Sequence, residues 1–449
     1  MERKQFIDAL FARAKEAGFE ACEVYFVTAD SFDTDVFKGE IVKYSDAGTL
    51  GLGFRGLIDG RMGYASTQIL DADAIDLLVD GALTNARLIE SDDPEFLHPG
   101  DERYAVLPGP DPALEHISNA DKIAMARELE RLTLSMDPRI QNVDGCQIIS
   151  ENAEVSIVNT LGLNVTARTS MIGGYVAPTA RDGEKVSSGF AYFFTMDPKT
   201  IDLEATAREA AARALNALDA ESIESGSMRV LLTAEPAADL LDTFAGVFSA
   251  DAAQKGLSLL KGREGETIAA PCVTLLDDPH RAGSPASMPF DGEGVATRVK
   301  RVIDGGTLTT LLHNLKTARK QGVETTANAA RGYSSPMGVA PTNFYFAPSD
   351  VPFEGMLEKL GDGLAITEIS GLHAGANAIS GDFSLSAKGF RVKNGARAES
   401  VKQITVAGNF YQLLKDVEAV GGDLKFGLPS SSLFGSPSLL ISSLSIAGK

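Results

Sequence analysis

Five histidines, three cysteines and a surplus of carboxylates are the side chains of this 449-residue chain that can move protons, attack a carbonyl or hold a metal. His98, His116, His280, His313 and His373 lie far apart, and no H-E-x-x-H, H-x-H or paired-cysteine spacing occurs. No local metal site can be written from them, because ligands on one short element need such spacing to meet one ion. A G-x-S-x-G elbow and a Walker loop are also absent. Asp277, Asp278 and His280 in "LLDDPHRAG" form the densest polar cluster. They can be read as an acid–base group or as a capped turn after a buried strand. The turn is favoured, since Asp side chains readily accept from nearby backbone N–H groups. His313, inside the apolar run "LTTLLHNLKTARK", reads as a satisfied core residue.

"GLGFRG" at 51–56 matches G-x-G-x-x-G letter for letter. A dinucleotide loop must follow a strand and open a helix, so that phosphate meets free N–H groups. Here the glycines sit inside an alternating strand pattern that runs to a "DG" hairpin turn at 59–60. "LLDTFAGVFSADAAQKG" at 240–256 has Leu240, Leu241, Phe244, Val247 and Phe248 at helical spacing, with Asp242 and Asp251 but no His or Cys.

The elements that position these residues follow from periodicity. An opening helix puts Phe6, Ile7, Leu10, Phe11 and Ala14 on one face. Strands and a second helix at about 71–89, with Ile75, Leu78, Val79 and Leu83 inward, complete a first unit. A Pro- and Asp-rich linker spans 91–113, with His98 as a solvated loop residue. A helix at about 118–135, with Ile123, Ala126, Leu129 and Leu132 inward, opens a second unit of strands closed by "IDLEATAREAAARALNAL". Helix–strands–helix twice suggests an internal duplication. From "MRVLLT" onward the chain is richer in Gly and turns, and the loops 249–266, 277–294 and 321–342 stand out. The expected fold is α+β: units at 1–110 and 111–226, then a β-rich domain at 227–449.

Net charge is −20, from 41 basic and 61 acidic residues, which argues against nucleic acid as a partner. "RVKR" at 298–301 reads as a solvated strand face. Cys22, Cys146 and Cys272 are few and scattered, which suits a reducing cytoplasm. The uncharged 426–448 segment carries too many Ser, Pro and Gly residues for a membrane helix and reads as a loop followed by the strand "SLLISSLSI".

The stretch 277–333 resembles the TldD/PmbA family, known also as modulators of DNA gyrase. The elements D-P-H, P-F-D-x-E-G-V-x-T, G-x-L and A-R-x-x-G match, as does "SGDFSLSAKGFRVKNGARAESVKQITVAGNF" further on. The resemblance implies a cytosolic two-chain metalloprotease. TldD-type chains carry an H-E-x-x-x-H zinc helix and a later Cys ligand; PmbA-type chains, also called TldE, lack them. Counting back without gaps from "KG" at 255–256 and "GREGE" at 262–266 places the zinc helix on 241–246. Leu241 and Gly246 then stand at the His positions, Asp242 at the general base, and Asp423 near the Cys position. Two imidazoles five residues apart diverge by about 140° on a regular helix, so the family motif implies a local distortion such as an extra residue in one turn.

The resemblance therefore implies a PmbA-type subunit with no metal of its own, a TldD-like partner holding zinc in a heterodimer, self-association when alone, and peptides or unfolded proteins as substrate. The charge balance and the composition of 426–448 argue against nucleic-acid and membrane contact. His280, Asp291, Glu293 and Asp382 are candidates for substrate or partner contact. The alternatives are a non-proteolytic binding protein acting on DNA gyrase or within a toxin–antitoxin pair, and an independent hydrolase using His280 or His373.

Overall fold

The computed structural model describes residues 1–89 and 95–449. The first four residues of the expected 91–113 linker lie outside the described residues. The fold is mixed α+β.

Strands β1 (Ala21–Phe37), β2 (Glu40–Ile58), β3 (Arg61–Thr67), β4 (Ile140–Asn159), β5 (Asn164–Asp182), β6 (Lys185–Ser188) and β7 (Ala191–Thr195) form one antiparallel sheet. The order is β3-β2-β1-β4-β5-β6, with β7 also on β5. The strands of the two expected units thus share one sheet. β1 and β4 meet at its centre, and the following strands extend outward on either side. "GLGFRG" lies wholly within β2, as its alternation required. The β2–β3 turn places Asp59 (φ 49°) and Gly60 (φ 72°) in left-handed conformations, whose twist matches that of a hairpin.

Helices cover the sheet. Asp71 caps the helix Ala72–Leu88 by accepting from the Ala74 N–H at 2.9 Å. Ile75, Leu78 and Val79 are buried, while Leu83 is only half-buried. In the helix Asn119–Ser135 the expected face is altered: Ala126 and Leu129 are buried, Ile123 and Leu132 half-buried, and Lys122 and Glu130 are enclosed instead. The Glu130 carboxylate accepts from Lys38 and Gly39 N–H at 2.6 and 2.7 Å and so ties down the β1–β2 turn. The Lys122 ammonium lies 4.9 Å from the Phe32 ring centroid. Charged residues on an amphipathic helix usually face water, and these two are drawn inward by contacts with β1 and the turn after it.

In the last part of the chain, strands Gly226–Leu232, Gly363–Ser370, Asp382–Lys393, Ala396–Asn409, Val417–Val420 and Leu439–Ala447 form a six-stranded sheet. Leu439–Ala447 is the expected "SLLISSLSI" strand, and its end pairs back onto Thr405–Ala407. That contact closes five of the strands into a barrel, with Val417–Val420 paired onto Leu439–Ala447 beside it. The presumed loop before it contains a further strand, Leu433–Ser436, in a second six-stranded sheet. Phe244, Phe248, Phe344 and Phe410 fill the shared core, with Phe244 stacked on Phe410 at 4.7 Å. "RVKR" is solvated as expected at Arg298, Val299 and Arg301, but not at Lys300. Lys300 is buried, 2.9 Å from Asp277, and donates to the Thr326 carbonyl. Among the described residues no helix is long and apolar enough to cross a membrane.

Candidate functional site

The segment holding positions 241–246 begins as the helix Ala234–Phe244. Its start is fixed to the barrel by the Thr233 N–H, which donates to the Ile366 carbonyl at 3.0 Å. Ala237, Leu240, Leu241 and Phe244 turn into the core. Glu235, Asp239 and Asp242, spaced four and three residues apart, share the opposite face. After Phe244 the chain tightens into a 3-10 turn, Ala245–Phe248, and Ser249 caps the short helix Ala250–Gln254.

That tightening decides what the segment can hold. Leu241 is fully buried in the core shared by the barrel and the second sheet. Gly246 is exposed, and a Cβ added there would meet nothing within 4 Å. Passage from 100° to 120° per residue puts the two positions about half a turn apart. The distortion expected here as an extra residue is a tightened turn, and it separates the positions further. Asp423 is held by Ser438, accepting from its N–H at 2.9 Å and its hydroxyl at 2.6 Å. A zinc ion needs N, S or O donors converging at about 2 Å. Leu241 and Gly246 supply none and face apart, so these residues do not fit the ion. Among the described residues no three His, Cys, Asp or Glu side chains form a group able to hold a metal.

The polar face of the helix instead lines a cleft. Ser188, Phe190 and Tyr192 at the sheet edge form one wall, Thr367 and Lys388 of the barrel another, and Gly427, Leu428 and Phe434 the rim. Two adjoining cavities of about 420 Å³ each share Arg213, Glu235 and Lys388. Arg213 grips Glu235 with two hydrogen bonds (2.7 and 2.5 Å) and Glu209 with a third (2.6 Å). The Tyr192 hydroxyl donates to the Phe426 carbonyl at 2.8 Å and pins the rim to the sheet. Burial, reinforced by the nearby charges of Glu235 and Asp242, pushes the Asp239 carboxyl up to about 6. The cleft thus presents aromatic walls, carboxyls whose pKa burial raises and an ion-pair network. Asp242 also borders a smaller cavity beneath Ser430, Ser431 and Ser432.

The other sequence candidates do not join this cleft. His280 sits in the turn favoured by sequence: its N–H donates to Asp278, and Nε2 lies 3.1 Å from the Thr297 hydroxyl. Asp291 is buried and accepts from the N–H groups of Glu293, Val295 and Ala329, which makes it a loop organiser. Glu293 accepts from Leu315 N–H at 2.8 Å, and burial beside Asp291 raises its pKa. It borders a separate 530 Å³ cavity with Arg55 and Lys316. Exposed Asp382 accepts from Asn409 and Ser380, and these bonds hold its carboxyl below the usual range. His313 is buried as expected, and among the described residues its Nδ1 meets no hydrogen-bond partner. His98 is not solvated. Its side chain is 15% exposed and lies 3.0 Å from Asp101.

Sequence reasoning missed a fully buried ionic contact between the two halves. Glu23 on β1 is fully buried between Arg55 on β2 (2.7 Å) and Arg331 from the 321–342 loop (2.6 Å). The Arg331 guanidinium lies 4.6 Å from the Tyr25 ring centroid. Two residues on, Tyr333 covers Gly51 and Gly53, and its carbonyl accepts from the Tyr64 hydroxyl. The only available signal was the length of that loop.

Family profiles for the three domains of the PmbA/TldA metallopeptidases match this chain: domain 1 at residues 22–86, the central domain at 112–218 and the C-terminal domain at 225–448. Metalloprotease PmbA of Escherichia coli O157:H7 is 29% identical over 447 residues, covering 98% of this chain and 94% of that one. A Thermotoga maritima crystal structure, described as a candidate modulator of a DNA gyrase, superposes with a TM-score of 0.91 at 34% identity, covering 99% and 100% of the two chains. TldE from Thermococcus kodakarensis superposes with a TM-score of 0.89 at 21% identity, again over 99% and 100%, which shows a common fold.

Proposed function

The chain belongs to the PmbA/TldD metallopeptidase family, and from that premise we propose that it is the non-catalytic, PmbA/TldE-like member of a two-chain zinc peptidase. A TldD-type partner supplies the zinc, the general base and the peptide-cleaving chemistry. This chain supplies one wall of the substrate path, and its substrates are short or unfolded peptides. The observation that carries the reading is the divergence of Leu241 and Gly246, one in the core and the other facing open space. Zinc acts in such enzymes by lowering the pKa of a bound water. This chain's own residues bind and orient. Phe190, Tyr192 and Phe434 offer apolar contact, and the sheet edge beside them suits an extended peptide through sequence-tolerant main-chain hydrogen bonds. An unfolded peptide carrying a photoreactive group tests this in the mixed pair. Labelling of residues 188–192 and 427–428 is expected; labelling confined to other surfaces contradicts the reading.

A second reading, binding to DNA gyrase without proteolysis, draws on the description of the Thermotoga relative and on the net charge of −20. Peptide cleavage by the mixed pair, with gyrase activity unchanged by this chain, decides against it.

A further inference from the structure

We propose that the cavity between the barrel and the helix Leu203–Asn216 binds the C-terminal carboxylate of a peptide whose last side chain is apolar, with Arg397 as its anchor. The inference deepens the reading of the cleft as a peptide-holding surface and rests on it. The cavity measures about 420 Å³, within the size range of small-ligand sites, and adjoins the cleft at Glu235 and Lys388. Phe353 and Phe390 give it an aromatic floor. Most of its cations are already engaged. Lys388 lies 2.7 Å from Glu368, Arg213 is shared between Glu209 and Glu235, and Lys425 is 3.2 Å from Glu209. Arg397 differs: among the described residues it has no carboxylate or carbonyl partner. Its guanidinium lies 4.4 Å from the Phe390 ring centroid, within the lining of the cavity.

A guanidinium held against a ring keeps its planar fork of N–H donors for a ligand. The chemistry that satisfies it is a planar anion accepting two parallel hydrogen bonds, which a carboxylate does. The adjoining phenyl rings select an apolar group attached to that anion. A carboxylate reaches a protein site either as a chain terminus or as an Asp or Glu side chain. The terminus is favoured here because the cavity opens beside the cleft, so that a peptide lying along the helix Ala234–Phe244 ends in it.

The test uses the full chain and an unstructured seven-residue peptide ending in Leu, labelled at its N-terminus and followed by fluorescence polarisation. It is compared with the same peptide as a C-terminal amide and with an amide carrying Asp at the next-to-last position. The free acid is expected to bind about threefold to tenfold more tightly than either amide, the scale of one charge-assisted contact at a partly exposed site. Arg397→Met, which keeps the stem over Phe390, is expected to erase that preference, and Arg397→Lys to keep part of it. The residue is exposed, so both variants fold. Equal binding of acid and amide overturns this inference and leaves the peptide-cleft reading standing. Recovery by the Asp-containing amide shows that side-chain carboxylates are read and overturns the terminal assignment. No binding of any form overturns both.

Discussion

Leu241 is enclosed by the shared core while Gly246, five residues on, borders open space. Substitution at the two positions therefore has unequal consequences. Leu241→His buries an imidazole among apolar side chains and is expected to cost about 3 kcal/mol or more. Gly246→His is expected to change stability by no more than about 0.5 kcal/mol. Urea unfolding of the two single variants checks this, and equal effects would contradict the placement of the helix. Combining Leu241→His, Asp242→Glu, Gly246→His and Asp423→Cys is expected to give no stoichiometric zinc binding in competition with a chelator, since the imidazoles face apart and Asp423 also gives up its bonds to Ser438. Asp239 yields a pH prediction. Its folded pKa of about 6 lies above the ordinary value of 3.8, so the native state binds that proton more tightly than the unfolded chain does. The resulting penalty is absent below about pH 4, grows between 4 and 6, and is constant above. Asp239→Asn removes it and is expected to stabilise the chain at pH 8 by roughly 1 kcal/mol, allowing for solvent screening, and by nothing at pH 3.5. A gain that is the same at both pH values would contradict the assignment.

Helices and strands meet at a few positions that tolerate no added atom. A Cβ on Gly63 of β3 would fall 1.9 Å from the Ala82 carbonyl in the helix Ala72–Leu88. Gly63→Ala is expected to cost more than about 2 kcal/mol by lifting that helix from the sheet, read as a fall in the urea midpoint. Arg331→Met leaves Glu23 with one cation instead of two in a buried site and is expected to cost about 3 kcal/mol. Little of that second contact was legible in the sequence. Alternation identified β1, β2 and β4, the "DG" turn and the terminal strand, because their signals are local. It placed Lys300 in water and gave Lys122 and Glu130 no inward role, because their partners lie 23 to 92 residues away. A period-two or period-3.6 pattern records which face a residue occupies on average, and a charged side chain with a distant partner departs from it. The candidate site divides the same way. The 241–246 helix was found by residue type and family resemblance, whereas its cleft depends on Phe190, Tyr192 and Arg213, which come from the other half of the chain.

The molecule as a whole has a closed barrel, a shared sheet and a cleft between them, with no convergent metal ligands among the described residues. On the proposed reading, this fold shapes a surface for a second, catalytic chain. Related subunits pair through equivalent patches, so this chain is expected to self-associate at micromolar concentration and to exchange into a heterodimer on addition of a TldD-type chain. Sedimentation velocity reads both states, and a monomer that stays unchanged by the partner would contradict the pairing. The most direct test is to count zinc and follow cleavage of an unstructured peptide for three samples purified without an affinity tag: this chain, the TldD-type chain, and the two mixed. No stoichiometric zinc and no cleavage are expected from this chain alone, with one zinc per pair and full activity in the mixture. One zinc per chain and robust cleavage by this chain alone would contradict the proposed reading.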